Sequence, residues 1–370
     1  MDNNRKVERS DTMLNNQLTQ LLKIEYPIIQ APMAGGITTS NLVSAVSNAG
    51  GLGMIGAGYM TPAQIREQIR EIKGITTKPF GINLFVPNEF EVNESEIKAA
   101  NEKLQPIQEL LKVEPVAISE IPTYEEVFNT FKKQIKIVIE ERVPICSFTF
   151  GIPSREVIAE LKEHQIILIG TATTVKEAIV IEKAGMDLVV VQGSEAGGHR
   201  GNFINEHQES LIGLMSLIPQ VVDHVSIPVI SAGGIMDGRG LMASLCLGAK
   251  GVQMGTAFLT CVESGAHEVH KKAILNASED QTVLTLAFSG KYARGLKNKF
   301  IQDMQKQENE LPDFPVQNKL TQKIRGAAAK QNNTDYMSLW AGQSVRMAEA
   351  QTVERLLEKL INEAERLYND

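Results

Sequence analysis

Eight short apolar segments, separated by helix-like segments, constrain the fold of this sequence more than any other feature. Most are continuous runs of Val, Ile, Leu and Met, which is typical of parallel strands buried on both faces. In chain order they are YPIIQAPM, LGMIGAG, FGINLFV, VPICSFTF, IILIGTAT, DLVVVQG, IPVISAGG and KGVQMGTAF. Because helices alternate with them, the chain is predicted to be an α/β protein forming a (β/α)8 TIM-type barrel, with a doubly wound sheet as the alternative.

Glycine and proline mark further helix boundaries. In TPAQIREQIREIKG, Thr61 is the predicted N-cap, Pro62 the first helical residue and Gly74 the stop. The stretch GLGMIG at 51–56 matches the dinucleotide fingerprint GxGxxG, but a helix precedes it and a strand overlaps it. We therefore interpret this stretch as the end of a helix followed by a strand.

Two stretches interrupt the alternation of strands and helices. Residues 88–122 are polar, acidic and helical in pattern, and residues 261–347 contain no clear strand. Together they are predicted to form a lid or substrate subdomain over one end of the barrel. The barrel is expected to comprise residues 18–260 and 348–370, with its eighth helix at the C-terminus, after a polar N-terminal tail at 1–17.

Composition narrows the range of partners. The chain has 370 residues and a formal net charge of −7, which argues against nucleic acid or an anionic membrane as a partner. Three cysteines without a CxxC pair indicate a reducing compartment and no disulfide framework. The chain has no signal-peptide pattern and no run of about 18 apolar residues, so a cytoplasmic protein with a small-molecule ligand is expected.

The candidate ligand-binding residues directly follow the predicted strands, because barrels bind ligands at the carboxyl ends of their strands. After the seventh strand SAGGIMDG contains Gly233 and Gly234, and after the eighth QMGT contains Gly255 and Thr256. Backbone N–H groups at such turns would bind a phosphate. The alternative is that these glycines only form tight turns.

His199 is the candidate catalytic residue. It lies in SEAGGHRG after the sixth strand, in a loop with few side chains that pack. A neutral imidazole there would accept a proton from a substrate carbon near pH 7, or it would only shape the loop, and the residues leave both roles open. Of its neighbours, Glu195 is a candidate to bond loop N–H groups and Arg200 to pair with an acidic group.

The sequence contexts of the other histidines indicate that they lie at the surface and form no metal site. His267 and His270, in HEVHKK, have a spacing that suits a metal, but no cysteine or carboxylate cluster accompanies them. We therefore interpret them as part of a solvated helix face. His164, His207 and His224 lie in helical or polar loop contexts and are expected at the surface.

Five motifs together resemble the class I nitronate monooxygenases, formerly called 2-nitropropane dioxygenases. The motifs are IIQAPMAGGITT, PFGINLF, VVVQGSEAGGHRG, IPVISAGGIMDGRG and GVQMGTAFL, and the resemblance extends from about Leu18 to the last helix. It implies an FMN-containing barrel with a lid. It also implies a detoxifying oxidation of alkyl nitronates, such as propionate 3-nitronate, by O2 to carbonyl compounds and nitrite.

The resemblance also implies roles for single residues. His199 matches the base that removes the α-proton when a neutral nitroalkane is the substrate. The flavin-binding positions that it implies are Asn83, Gln192, Gly197, Gly234, Gln253, Met254, Gly255 and Thr256. Thr149 stands where many relatives have a histidine, and a hydroxyl cannot replace an imidazole as a base near pH 7.

Other interpretations remain beside this one. Lys291, Arg294 and Gln343 lie in the lid-like segments and would close the site or bind a substrate carboxylate. The alternative for Lys291 and Arg294 is that they are ordinary charged residues of the surface. The barrel type also includes NAD(P)H-dependent flavin reductases, among them enoyl-acyl-carrier-protein and quinone reductases. A flavin-free barrel that binds a phosphorylated metabolite would keep the same phosphate turns.

Overall fold

The computed structural model describes residues 14–204 and 208–369, and in them the eight predicted strands form one parallel sheet. The strands of this sheet are β1 Ile28–Gln30, β2 Gly53–Gly56, β3 Phe80–Phe85, β4 Ile145–Thr149, β5 Ile167–Ala172, β6 Leu188–Gln192, β8 Val229–Ala232 and β9 Gly251–Met254. Three further strands, β7 Gly198–His199, β10 Thr282–Thr285 and β11 Ala293–Leu296, lie outside it. The order of the large sheet is β1-β9-β8-β6-β5-β4-β3-β2.

Backbone hydrogen bonds close this sheet into a barrel. Leu52, just before β2, donates its N–H to Ile28 O at 2.9 Å and accepts from Gln30 N at 2.9 Å. The two edge strands β1 and β2 therefore meet. The predicted (β/α)8 barrel is confirmed, and the doubly wound alternative is wrong because such a sheet would leave both edges open.

Helices connect the strands of the barrel and also form most of the segments outside it. In the described residues they are α1 Gln17–Leu22, α2 Ser40–Asn48, α3 Pro62–Ile75, α4 Glu94–Leu111, α5 Tyr124–Glu140, α6 Arg155–Glu163, α7 Val175–Lys183, α8 Leu214–Val222, α9 Gly238–Cys246, α10 Thr256–Leu259, α11 Glu268–Leu275, α12 Lys299–Met304, α13 Val316–Leu320, α14 Gln322–Lys330 and α15 Val353–Asn369. The C-terminal helix α15 packs against α9 and α2, as predicted for the eighth barrel helix. Within the ranges described, no helix has the length and apolar character needed to cross a membrane.

Two apolar layers hold the barrel together and leave one end open. Inward-facing residues such as Met54, Ile169 and Ile230 fill the interior, joined by Leu18 and Leu22 of α1. The short helix α1 therefore closes the amino-terminal end. The outward-facing strand residues pack against the surrounding helices, so ligands have access only at the carboxyl ends of the strands.

The two stretches that interrupt the barrel pack on each other. Apolar side chains of α4 and of the residues up to 121 share one cluster with side chains between residues 259 and 345. The prediction that the second stretch contains no clear strand is wrong. There β10 and β11 form an antiparallel sheet to which β7 adds a third strand. These strands have four residues or fewer, and β11 pairs with the distant β7, so a local pattern does not predict this sheet.

Of the helix ends predicted from glycine, the one before β2 is confirmed and the one at Gly74 is wrong. Gly50 has φ +91° directly after α2, and the strand β2 begins at Gly53, as the interpretation of GLGMIG requires. Helix α3 has Thr61 as its N-cap and Pro62 in its first turn, as expected. It does not stop at Gly74, because this glycine keeps helical geometry and the helix continues to Ile75.

Alanine at two glycines should change stability in opposite directions. A Cβ at Gly53 would lie 2.1 Å from Val43 O, so Gly53→Ala is expected to lower the free energy of unfolding by about 2 kcal/mol or more. A Cβ at Gly74 meets nothing within 4 Å, so Gly74→Ala should raise it by about 0.5–1 kcal/mol. Urea unfolding followed by circular dichroism measures both, and equal effects would contradict this account of α2 packing.

Candidate active site

A cavity of about 1460 Å³ lies at the carboxyl ends of the barrel strands. Its wall is formed by the loops that follow these strands and by residues from 312–325 and 338–344. The structure brings the predicted catalytic residue and the predicted flavin-binding residues to this wall: His199, and Asn83, Gln192, Gly197, Gly234, Gln253, Met254, Gly255 and Thr256. Their arrangement around one space follows from barrel closure, which gathers segments that are far apart in sequence.

The turn after β8 presents free backbone donors to the cavity. Gly233 and Gly234 have φ angles of +133° and +68°, and their N–H groups have no acceptor in the part of the chain that is described. Ser344 Oγ donates to Gly234 O at 2.8 Å and fixes this turn to the segment above the barrel. Unsatisfied N–H groups at a glycine turn are suited to an anion such as phosphate.

The side chain of Gln192 holds the loop that carries His199. Its Nε2 donates to His199 O at 3.0 Å, and its Oε1 accepts from Gly201 N at 2.8 Å. A Cβ at Gly197 would lie 2.5 Å from the carbonyl carbon of Ala341, so this glycine allows close approach of the 341–342 backbone. Both residues line the cavity, and both also build the loop.

Arginine side chains near this loop donate mainly to backbone carbonyls, and within the described residues neither Arg200 nor Arg294 forms an ion pair with a carboxylate. Arg200 is fully buried and donates to Gly193 O at 2.5 Å and to Ser210 O at 2.8 Å. The predicted pairing of Arg200 with an acidic group is wrong, because its guanidinium satisfies carbonyls inside the loop. Arg294 similarly donates to Ser194 O at 3.1 Å and does not line the cavity.

Glu195 and Gln343 are also part of the framework around this loop. The Glu195 carboxylate accepts from Leu214 N at 2.9 Å, at the start of α8. The backbone N–H of the exposed Gln343 donates to Glu195 O at 3.0 Å, and its side chain lies outside the cavity wall. Of the three lid candidates, Lys291 alone lines the cavity; its Nζ donates to Asn202 O at 3.2 Å and lies 5.1 Å from the centroid of Phe150.

The imidazole of His199 has a defined hydrogen-bond partner. Its Nε2 lies 2.8 Å from Ser289 Oγ, which in turn donates to Lys291 O at 2.9 Å. Because the hydroxyl proton is used for that carbonyl, the network assigns the imidazole proton to Nε2. The lone pair then remains on Nδ1, which has no partner in the described ranges and is the nitrogen able to accept a proton.

Aromatic rings and two cations surround His199. The ring centroids of Phe150, Phe314 and Trp340 lie 5.8, 6.0 and 5.6 Å from its own. Burial lowers the pKa of His199 to about 3, and the charges of Lys291 and Arg325 act in the same direction. The imidazole is therefore neutral near pH 7.

Thr149 takes part in a small polar network with Asn83. The Nδ2 of Asn83 donates to Ser147 Oγ at 2.8 Å and to Thr149 Oγ1 at 3.1 Å. All three residues line the cavity. Thr149 therefore helps to orient an amide at the β3 end.

Several cavity residues were missed by sequence reasoning. Tyr59, after β2, and Arg325, in α14, line the cavity together with Asp313, Phe314 and Trp340. The Arg325 segment NKLTQKIR has only an ordinary helical pattern. A charged residue turned inward from a helix without a motif gives no signal before the helix is placed.

The assignment of His270 to a solvated helix face was wrong. Its imidazole is buried under the 338–344 segment, with Nε2 3.2 Å from Trp340 O, and burial lowers its pKa to about 4. His267 instead caps α11, accepting from Val269 N at 3.3 Å. His164 and His224 are exposed as expected, whereas His207 lies outside the described residues.

The closed parallel barrel, with a cavity at its carboxyl end that joins a turn with free N–H groups to a half-buried neutral histidine, defines an α/β-barrel enzyme. The family model for nitronate monooxygenase matches residues 15–363. The chain is therefore a member of the nitronate monooxygenase family, which consists of oxidoreductases, and the resemblance found in the motifs is confirmed.

Individual relatives agree with this assignment. A probable nitronate monooxygenase of Staphylococcus haemolyticus is 53% identical over 355 residues, covering 95% of this chain and 98% of the relative. The structure of nitroalkane oxidase from Streptomyces ansochromogenes matches with a TM-score of 0.88 at 38% identity, covering 95% and 99% of the two chains. FabK from Thermotoga maritima matches with a TM-score of 0.75 at 33% identity, covering 96% and 97%.

Acid should destabilise the protein through its buried histidines. The unfolded-state pKa is near 6.5 and the folded values are about 3 for His199 and about 4 for His270. Below pH 6.5 the unfolded chain therefore binds more protons, and each group lowers the free energy of unfolding by up to about 1.4 kcal/mol per pH unit.

Urea unfolding at pH 7, 6 and 5 measures this dependence. His270→Gln should give a shallower decline than the wild-type protein, because one buried imidazole is removed. His164→Gln, at an exposed position, should keep the wild-type decline. An unchanged slope in His270→Gln would contradict the burial argument.

Proposed function

We propose that this protein binds FMN and oxidises alkyl nitronates with O2 to carbonyl compounds and nitrite. Propionate 3-nitronate is the natural substrate suggested by the family, and the role is detoxification. The observation that carries the proposal is the single cavity in which a free glycine turn, a neutral histidine and two half-buried cations meet. Membership of the nitronate monooxygenase family supports the same chemistry.

The residues around the cavity fit FMN. The free N–H groups of Gly233 and Gly234 would hold its phosphate, next to the first turn of α10 at Thr256. Gln253 lines the cavity with a side-chain amide that has no partner in the ranges described, and with Asn83 it would bond the ring edge. Bound FMN supplies the redox chemistry, and the protein supplies binding, orientation and electrostatics.

The electrostatics of the wall favour an anionic substrate. Lys291 and Arg325 both line the cavity close enough to lower the pKa of His199. A nitronate is already deprotonated, so it needs no base and gains from both cations. A neutral nitroalkane must first give its α-proton to Nδ1 of His199, and the low pKa of this imidazole makes that transfer unfavourable.

The segments above the barrel have a proposed role as a substrate subdomain. Residues 261–347, with the insertion at 88–122, would cover the barrel formed by 18–260 and 348–370. The shared apolar cluster of the two segments and their contribution to the cavity wall support this division. The cysteines are free thiols, and with the family's activity on small molecules this supports the proposed cytoplasmic location.

Oxygen uptake with a series of alkyl nitronates tests the function, with NADH as the control substrate. The purified protein should show the visible absorption of FMN and consume O2 with nitronates, forming nitrite. Anaerobic mixing with NADH should leave that absorption unchanged. Rapid bleaching by NADH would instead support the flavin reductase alternative, and folded protein without flavin absorption would support the phosphometabolite-binding alternative.

Replacement of His199 should separate the two substrate classes. His199→Asn is expected to lower kcat/KM for neutral nitroalkanes about 10-fold or more, less than the usual contribution of a positioned base because the pKa of this imidazole is low. Nitronates should lose less than about fivefold, because they need no proton acceptor. Equal losses for both classes would exclude proton abstraction as the role of His199.

A further inference from the structure

We propose that Arg325, assisted by Tyr59, binds a carboxylate on the substrate and so selects nitronates that carry a second negative charge. This inference rests on the proposed function, because it assigns a specificity-determining residue to the same cavity. Neither residue belongs to a motif that pointed to the site. The support comes from hydrogen bonding, from the distribution of charge and from the position of both residues relative to His199.

The guanidinium of Arg325 is fixed on two of its three nitrogens. Nη2 donates to Asn318 O at 2.7 Å and to Asn318 Oδ1 at 2.9 Å, and Nε lies 3.2 Å from Thr321 Oγ1. Nη1 has no partner among residues 14–204 and 208–369, and the residue lines the cavity. The helix end therefore holds the guanidinium rigidly and leaves Nη1 with donors for a ligand.

The charge of Arg325 is not neutralised by the protein. Within the described ranges, no carboxylate forms an ion pair with it, and Tyr59 is the one group that favours its charged form. Lys291 differs, because the negative charges of Glu177 and Asp313 act on it and Asn202 O accepts from its Nζ. The unbalanced positive charge of the wall is therefore concentrated at Arg325.

Of the carboxylates that line this cavity, Asp313 acts on the charge of Lys291, and the others lie at the rim. Glu89, Glu91 and Glu96 are exposed residues of the segment inserted after β3, and Glu126 is at the start of α5. None of them pairs with Arg325. An anion that enters past this rim meets an arginine without a counterion, and burial of such an ion pair is favourable only with good hydrogen bonds.

Tyr59 supplies a neutral donor beside this arginine. Tyr59 as a whole is 42% exposed, but desolvation of its phenol raises the pKa to about 12, with Arg325 acting in the opposite direction, so the hydroxyl keeps its proton. The Tyr59 ring packs edge to face on Phe85, with 5.4 Å between centroids, which fixes its position in the aromatic wall. A carboxylate would accept from both the guanidinium and this hydroxyl.

Arg325 and His199 line the same cavity, and the charge of Arg325 contributes to the lowered pKa of that imidazole. A short substrate can therefore place its nitronate near His199 and its carboxylate at Arg325. Propionate 3-nitronate has two planar anionic groups separated by a short carbon chain, which matches this arrangement. Propyl 1-nitronate has the same length without the carboxylate and is the matched comparison.

Arg325→Met should change the preference between these two substrates. We expect kcat/KM for propionate 3-nitronate to fall about 10- to 100-fold, the range for loss of a charge-assisted hydrogen bond, and for propyl 1-nitronate to change less than about threefold. Lys330→Gln, an exposed residue of the same helix, removes one charge outside the cavity and should leave both values unchanged. Equal losses on both substrates, or no loss, would overturn the assignment.

If Arg325→Met does not fold, Arg325→Gln, which keeps an amide donor, is measured in its place.

A binding measurement separates failure of this inference from failure of the proposed function. Succinate has the shape and charge of propionate 3-nitronate, and butyrate that of propyl 1-nitronate, and neither reacts. Calorimetry with the purified protein should show that succinate binds more tightly than butyrate. Arg325→Met should weaken the binding of succinate and leave that of butyrate unchanged. If neither nitronate is oxidised but this pattern holds, the anion site stands and the proposed reaction fails. If both nitronates are oxidised and succinate binds no more tightly than butyrate, the carboxylate site is wrong.

Discussion

Closure of the sheet between β1 and β2 is the constraint on which the rest of this molecule depends. The hydrogen bonds of Leu52 to Ile28 and Gln30 remove the open edges of an eight-stranded parallel sheet. Closure also brings every strand's carboxyl end to one rim, so residues more than a hundred positions apart line one cavity. Helix α1 fills the opposite end with Leu18 and Leu22, which leaves that rim as the ligand side.

The loop after β6 depends on polar side chains that point into the protein. Arg200 and Gln192 bind the loop's own backbone, and the buried Glu177 accepts from the N–H groups of Phe203 and Ile204. Buried polar groups of this kind are costly unless they have hydrogen-bond partners, and here most of the partners are main-chain atoms of this loop. His199 is therefore held in place by residues whose sequence suggested direct contact with a ligand.

The charge pattern of the cavity follows from burial more than from composition. The chain as a whole has a net charge of −7, yet the inner wall near His199 contains Lys291 and Arg325. Burial and these two cations keep the imidazole neutral, with a pKa of about 3. An acidic protein thus has a locally positive cavity, because the fold places a few basic side chains on the cavity wall and most acidic side chains at the exposed surface.

The sequence by itself determined the eight strands, the barrel and the residues at the strand ends, since continuous apolar runs and glycine turns are local signals. It also determined the family, because the motifs at those ends are specific. Tertiary structure alone decided which side chains are available to a ligand: Gln192 and Arg200 proved to be bound by backbone, and Arg325 and Tyr59 proved to face the cavity. The short strands β10 and β11 and the burial of His270 were likewise decided by contacts between distant segments. The physical reason is the same throughout: hydrogen-bond partners and desolvation depend on the packing of segments that a local pattern does not relate to one another.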